Sequence, residues 1–235
     1  MKASVVTLVI ALFVVGSPGL IAGTPRDSPT QAVADSQLSS RLAISAGMGV
    51  EYLSAPHVVD FINALVKGYA VQRVSEFRSA VQFFGAVAYP LSPDWVLKAE
   101  YLYLLASYNP DVGVPSDFTL TVHMPSVIFQ YVLWDEGLYD LKVGGGIGYH
   151  IATLADRFLT IDDRLTGRGL GVVADLEWNT AFGDHLFAYL GGDMRWEFIG
   201  TLKSSSSGSQ TSGIIAAPAA NGFGIGARLG LSYYF

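Results

Sequence analysis

Cysteine is absent from the 235-residue chain. Its absence excludes a lipoprotein anchor, disulfide staples, a thiolate nucleophile and thiolate metal sites, while leaving the redox compartment open. Charge is scarce too, at 14% of residues against 51% hydrophobic, where a soluble domain carries roughly a quarter charged. The net charge of -6 leaves no basic footprint for nucleic acid. Long apolar runs are also missing: beyond residue 16 none approaches the roughly 20 residues of a spanning helix. An unusually apolar composition must therefore be spread over short segments.

The last of these segments runs to the end of the chain. In Phe223 to Phe235, Phe223, Ile225, Ala227, Leu229, Leu231, Tyr233 and Phe235 fall on one face, and Gly224, Gly226, Arg228, Gly230, Ser232 and Tyr234 on the other. This period-2 pattern is a strand with an unbroken apolar face, and its polarity reads as grease outside and polar groups inside. A terminal Phe235 preceded at alternate positions by Tyr233, Leu231 and Leu229 resembles the assembly signal of bacterial outer-membrane β-barrels, of the small OmpA-barrel, OmpX and OmpW kind. The resemblance covers about Arg41 to Phe235. It implies an all-β, antiparallel, transmembrane up-and-down barrel, with the barrel assembly machinery, outer-membrane lipid and lipopolysaccharide as partners. It carries no family-specific functional motif.

The amino terminus agrees with export. Lys2, an apolar run from Val5 to Val15 and small residues around Ala22 and Gly23 read as a signal peptide over residues 1–23. Residues 24–40, rich in Pro, Ser, Asp and Gln, then form a flexible periplasmic lead, and residues 41–235 form the barrel.

Seven further strands precede the last: Arg41 to Leu53, Ala80 to Tyr89, Trp95 to Tyr108, Phe118 to Leu133, Tyr139 to Ile151, Gly169 to Phe182 and Leu186 to Phe198. Connections alternate long and short, which an eight-stranded barrel with both ends in the periplasm requires. Folding the second and third strands about Pro90 to Asp94 sets Tyr89 opposite Trp95 and Phe83 opposite Tyr101. Aromatics fall into two girdles, one near the short turns (Tyr89, Trp95, Trp134, Tyr139, Trp178, Tyr233, Phe235) and one near the long loops (Tyr52, Tyr103, Tyr149, Trp196, Phe223). A soluble lipocalin-like barrel would put the apolar, aromatic face inside and is rejected on that ground.

Two segments depart from simple alternation. Pro56 to Lys67 carries Val58, Phe61, Ile62 and Leu65 at helical spacing and predicts a short amphipathic helix. It would pack over the barrel mouth or the membrane interface, or act as a gate. In the fourth strand Leu120, Val122 and Met124 are expected outward and His123 inward, until Pro125 interrupts the ladder. An unbroken register then turns Val127, Phe129 and Tyr131 inward, and a bulge turns them outward; Gly144, Gly146 and Gly148 opposite favour the former. Residues 152–168, with six charges, read as a hydrated loop.

The inward faces collect Glu51, Lys98, Glu100, Asp140, Lys142, Asp175, Glu177, Asp193, Arg195, Glu197 and Arg228. An eight-stranded interior is only just wide enough to be filled by side chains, so these groups either interlock and block the bore or line a narrow conduit. His123 and His150 face each other in the lumen in this register, either as a metal or pH-sensing pair or as hydrogen-bonded fillers. No third ligand has metal-site spacing, and no cofactor is expected. Barrel enzymes such as lipid A deacylases need a serine, a histidine and an orienting acid, and the His-x-Ser pattern of the deacylases is absent. The reading is a monomeric, non-enzymatic, structural or surface-interaction barrel, with a narrow channel for small or hydrophobic solutes as the alternative. The folded chain should fractionate with membranes and migrate differently on gels with and without boiling; a chain soluble without detergent would sink the barrel assignment.

Overall fold

The computed structural model describes residues 38–67, 77–108, 110, 116–158, 161–204 and 217–235. The signal-peptide segment, residues 24–37 and the serine-rich 205–213 lie outside the described residues. Strands β1 (Ala43–Ser54), β2 (Phe77–Ser92), β3 (Trp95–Tyr108), β4 (Ser116–Asp135), β5 (Tyr139–Phe158), β6 (Ile161–Ala181), β7 (Leu186–Ile199) and β9 (Gly222–Tyr234) are the staves. Each pairs antiparallel with its neighbours, β9 with both β7 and β1, and β5 with β6, so the sheet closes on itself. Closure leaves no open edge, which hydrocarbon would penalise by several kcal/mol per unpaired backbone group. A two-residue strand, β8 (Lys203–Ser204), adds to β6 beyond the end of β7. This is an eight-stranded transmembrane barrel.

The staves form because apolar residues recur at every second position and side chains alternate across a strand. Around the wall the outward face carries Ile44, Met48, Val50, Phe83, Val87, Leu97, Val143, Ile147, Val172, Leu176, Leu190, Met194, Leu229 and Leu231, all exposed. An apolar surface this extensive belongs in lipid, not water. Aromatics border it at the short-turn end, where Trp95 stacks on Phe129 with centroids 4.6 Å apart and Tyr233 meets Phe235 at 5.0 Å.

Four expectations are corrected. The β2–β3 hairpin turns at Pro93-Asp94 with a bulge between Pro90 and Ser92, so Tyr89 pairs with Leu97 and Phe83 with Tyr103. The two-residue shift leaves every face unchanged. In β4 the ladder with β3 runs unbroken through Pro125, but with inverted faces: Phe118, Leu120, Val122 and Met124 are buried inside, while Val127, Phe129 and Tyr131 are exposed outside. Residues 152–168 are mostly strand, because β5 and β6 run to 20 and 21 residues and form a hairpin that ends at Phe158 and Ile161. Last, Leu38–Ser40, the end of the supposed flexible lead, is a fixed 3-10 turn whose Leu38 and Ser39 amides donate to the Asp135 carboxylate at 3.2 and 2.7 Å.

The β4 inversion has a physical cause. A tilted strand needs only roughly 9 to 11 residues to cross hydrocarbon, and β4, β5 and β6 have about twice that. Beyond the lipid band the same wall stands in water, so polarity reverses: Thr119, Thr121, His123, Thr153, Arg164, Thr166, Arg168 and Lys203 point out, and Leu120, Val122, Ala152, Leu154 and Leu165 point in.

The closing seam depends on close backbone approach. Gly47 pairs with Gly230, and a Cβ at Gly47 would lie 2.1 Å from the Leu229 carbonyl oxygen and 2.6 Å from the Gly230 Cα. At Gly85, which faces lipid, a Cβ would meet nothing within 4 Å. Gly47→Ala should therefore cost about 1–3 kcal/mol as overpacking and lower the urea midpoint of the folded barrel, with Gly85→Ala close to wild type. Equal midpoints would show that the seam relaxes freely.

Candidate functional site

The interior is filled in three layers. At the short-turn end Leu38, Ala43, Ala88, Val96, Val132, Phe187 and Tyr234 form an apolar floor. The Leu38–Ser40 turn is pinned beneath it, with Ser39 Oγ also donating to the Pro93 carbonyl at 3.0 Å. The turn that carries Asp135 is itself stiff: Gly137 adopts φ 72°, a left-handed conformation that glycine takes at little cost. Next to it Glu136 accepts from the Tyr139 hydroxyl and from Trp134 Nε1, which holds its carboxyl below the usual range.

Above the floor lies the ionic layer, and all eleven charged residues assigned to the lumen are buried there. Arg228 is its centre. Its guanidinium donates to Glu100 at 2.6 Å and to Asp175, and lies 3.1 Å from Asp193 as an ion pair. The cross-strand partners of Arg228 are Gly49 and Gly191, so neither neighbouring strand places a side chain beside it. Phe84 and Tyr189, which pack over Gly47 and Gly191, bring their ring centroids to 5.1 and 5.9 Å from the guanidinium. Arg195 holds Asp193 at 2.6 Å and Glu100. Lys98 spans Asp175 at 2.6 Å and Glu177 at 3.0 Å, and Lys142 spans Asp140 at 3.1 Å and Glu177 at 3.2 Å.

Neutral donors complete the layer. Gln130 gives its amide to Asp175 at 2.8 Å and Glu177 at 3.1 Å, Asn179 gives its amide to Asp140 at 2.8 Å, and the Tyr234 hydroxyl donates to Asp140 at 2.6 Å. Asp175 and Asp193 are direct cross-strand partners, two like charges side by side, and Arg228 bridges them. Buried charges are tolerable only when paired and hydrogen-bonded in this way. Glu51 sits at the upper boundary of the layer, turned against Gly224.

The histidines do not pair. His150 is inward and fully buried, with Nδ1 2.7 Å from Glu197. His123 is outward, its Nδ1 2.6 Å from the Tyr101 hydroxyl, because it lies in the stretch of β4 whose faces are inverted. A different grouping appears instead, with Ser126 Oγ 3.5 Å from His150 Nε2. Ser126, His150 and Glu197 thus stand in the order of a nucleophile relay. All three are buried in the interior, and 3.5 Å exceeds a working nucleophile–base contact. The sequence hid Ser126 because the inverted β4 assignment turned it to the lipid.

The third layer is the plug. Helix α1 (Pro56–Leu65) begins with a proline in its first turn, where the missing amide costs nothing. It buries Val58, Val59, Phe61 and Ile62 in one cluster with Leu102, Leu104, Tyr108, Phe118, Leu120 and Leu154 from the inner wall. Each such side chain contributes about 1.5–3 kcal/mol. Among the described residues no group of three or more His, Cys, Asp or Glu side chains could hold a metal ion.

The sequence matches no protein-family model and no curated protein. Its fold is similar to that of neisserial surface protein A, at 13% identity over 83% of this chain and 97% of that one, with a TM-score of 0.51. Ail, the attachment invasion locus protein of Yersinia pestis, aligns at 9% identity over 83% and 99% with a TM-score of 0.48. The outer membrane protein OprG from Pseudomonas aeruginosa aligns at 11% over 83% and 96% with a TM-score of 0.47. At these identities the likeness is one of fold.

Removing the central cation leaves three carboxylates short of a partner inside the wall. Arg228→Leu should destabilise the barrel by about 3–5 kcal/mol, read as a lowered urea midpoint in lipid vesicles, with Arg228→Lys losing less. An unchanged midpoint in Arg228→Leu would show that the layer does not hold the staves together.

Proposed function

We propose that the chain is an outer-membrane barrel of a Gram-negative cell with a structural, adhesive or host-surface-interaction role, neither conducting nor catalytic. The filled interior is the observation that supports this reading: a floor, an interlocked ionic layer and a helix-covered apolar cluster occupy the bore. The lipid-type outer face and its aromatic borders support the location. Leu229, Leu231, Tyr233 and Phe235 are exposed on one outward face of the final stave and its end, as an assembly signal read from outside the barrel requires. In this orientation the short turns are periplasmic and the plug is external. The exposed side of α1, with His57 and Asp60, and Lys67 just beyond its end, then face the medium.

A narrow channel would need both α1 to leave the mouth and the Arg228 layer to part, and an enzyme would need a path to buried Ser126. In planar bilayers the purified barrel should give no reproducible conductance steps, and neither should a variant with residues 55–67 replaced by a Gly-Ser linker, since the ionic layer remains. A fluorophosphonate probe should leave Ser126 unlabelled in the folded chain. Steady unitary currents would overturn the closed reading in favour of the channel, and Ser126 labelling would overturn it in favour of catalysis.

A further inference from the structure

The outer wall is not evenly covered. Across β2 to β6 it holds a concavity of about 990 Å³ whose outward floor is small, made by Gly85, Ala99, Pro125 and Gly145. Tyr101, Tyr149, Phe129 and Ile147 rise around it. It faces lipid, is open to it, and exposes a mostly apolar surface, with Glu100 and Ser126 lying behind it on the inner side of the wall.

The rungs above it change character in a fixed order. Tyr103, His123, Ile151 and Arg168 form the next outward rung, joined through successive pairings. Thr121, Thr153, Thr166 and Lys203 form the one after, and Arg164 stands opposite Ala155 in the third. Lys203 pairs with Thr166, so Arg164 and Arg168, two positions either side of Thr166, share its face. All three cations are exposed. Arg157 at the tip stands opposite Asp117 on one side and Asp162 on the other, the two carboxylate positions against the four cations Arg157, Arg164, Arg168 and Lys203. A chain of net charge -6 thus presents an excess of cations here, at the height where hydrocarbon gives way to headgroups.

From this arrangement we infer that the β2–β6 face is a binding site for one phosphorylated outer-leaflet glycolipid. An acyl chain lies in the groove over Gly85, Ala99, Pro125 and Gly145, and the headgroup phosphates meet Arg164, Arg168 and Lys203. The groove supplies a volume for a chain without deforming the bilayer, and the cations supply charge-assisted contacts to phosphate. The threonine rung places hydroxyls at sugar height. Shape and charge are stacked in the order in which such a lipid presents its parts. A cationic patch with no groove would fit any soluble polyanion; a groove with no cations would fit any acyl chain.

The inference rests on the location proposed above, and its test separates the two. The full chain, released from micelles doped with bis-phosphorylated lipid A, is weighed by native mass spectrometry. One lipid should be retained, at least tenfold in preference to the dephosphorylated form. The triple variant Arg164→Gln, Arg168→Gln, Lys203→Gln should lose that preference. Gly85→Leu with Gly145→Leu fills the groove from positions where an added Cβ meets nothing closer than 3.5 Å, and should lower retention about tenfold while the barrel keeps its heat-modifiable migration. Equal retention of both lipid forms, or retention unchanged in either variant, overturns the site, as does a preference for dextran sulfate over lipid A. A chain that fractionates with another membrane overturns the location and leaves the measured lipid preference standing.

Discussion

Arg228 is the group on which the rest of the interior depends. A guanidinium cannot lose its charge in a protein, so once β9 turns it inward the neighbouring staves must answer it. They do so in two ways. Gly49 and Gly191 keep side chains out of its way, while Glu100, Asp175 and Asp193 arrive from three different strands to meet it. Each of those acids is shared in turn with Lys98 or Arg195. The network therefore ties β3, β6, β7 and β9 together across the bore, where backbone ladders join only adjacent staves. Replacing such a layer by a well-packed apolar filling is often neutral or even stabilising. What the layer does specify is register, because a slip of one residue would turn every charge into lipid.

The wall also has to satisfy two solvents in succession. In the lipid band, apolar side chains point out and the interior is charged. Past it, on β4, β5 and β6, threonines and cations point out and the interior is apolar up to the buried Asp156 and Asp163, which face each other near the hairpin tip. No strand changes its pleat to achieve this. The sequence simply exchanges which parity is apolar, at Pro125 in β4 and after Ile151 in β5. Helix α1 is the corollary: an apolar inner wall standing in water must be covered, and the chain supplies the cover from the first long connection.

That exchange marks the limit of what was legible. Seven staves, their inward charges and the alternation of long and short connections follow from period-2 patterning within one medium. In β4 the pattern from Phe118 to Met124 is as regular as in the others, but regularity gives parity and not direction. Direction came from assuming lipid on the outside, and that assumption fails above the bilayer. The same assumption placed His123 in the lumen and made residues 152–168 a loop, since charges such as Arg164 and Arg168 have no place in a lipid-facing strand. The β2–β3 register erred for another reason, because Pro90 fits equally at a turn or at a bulged edge position. The partners of Arg228 lay beyond reach altogether: they come from strands 35 to 128 residues away in sequence.

Plug and ionic layer are coupled by dielectric. Charge–charge attraction weakens as water enters, roughly in proportion to the local dielectric constant. The Leu38–Ser40 floor excludes water from one side of the layer and the α1 cluster from the other. Displacing α1 would hydrate the upper boundary, where Glu51 and the His150–Glu197 pair lie, and loosen the network from above. It would not by itself open a path, because Arg228 and Arg195 remain clamped to carboxylates on opposing staves. On the closed reading proposed above, the helix acts as a seal that maintains the strength of the layer beneath it.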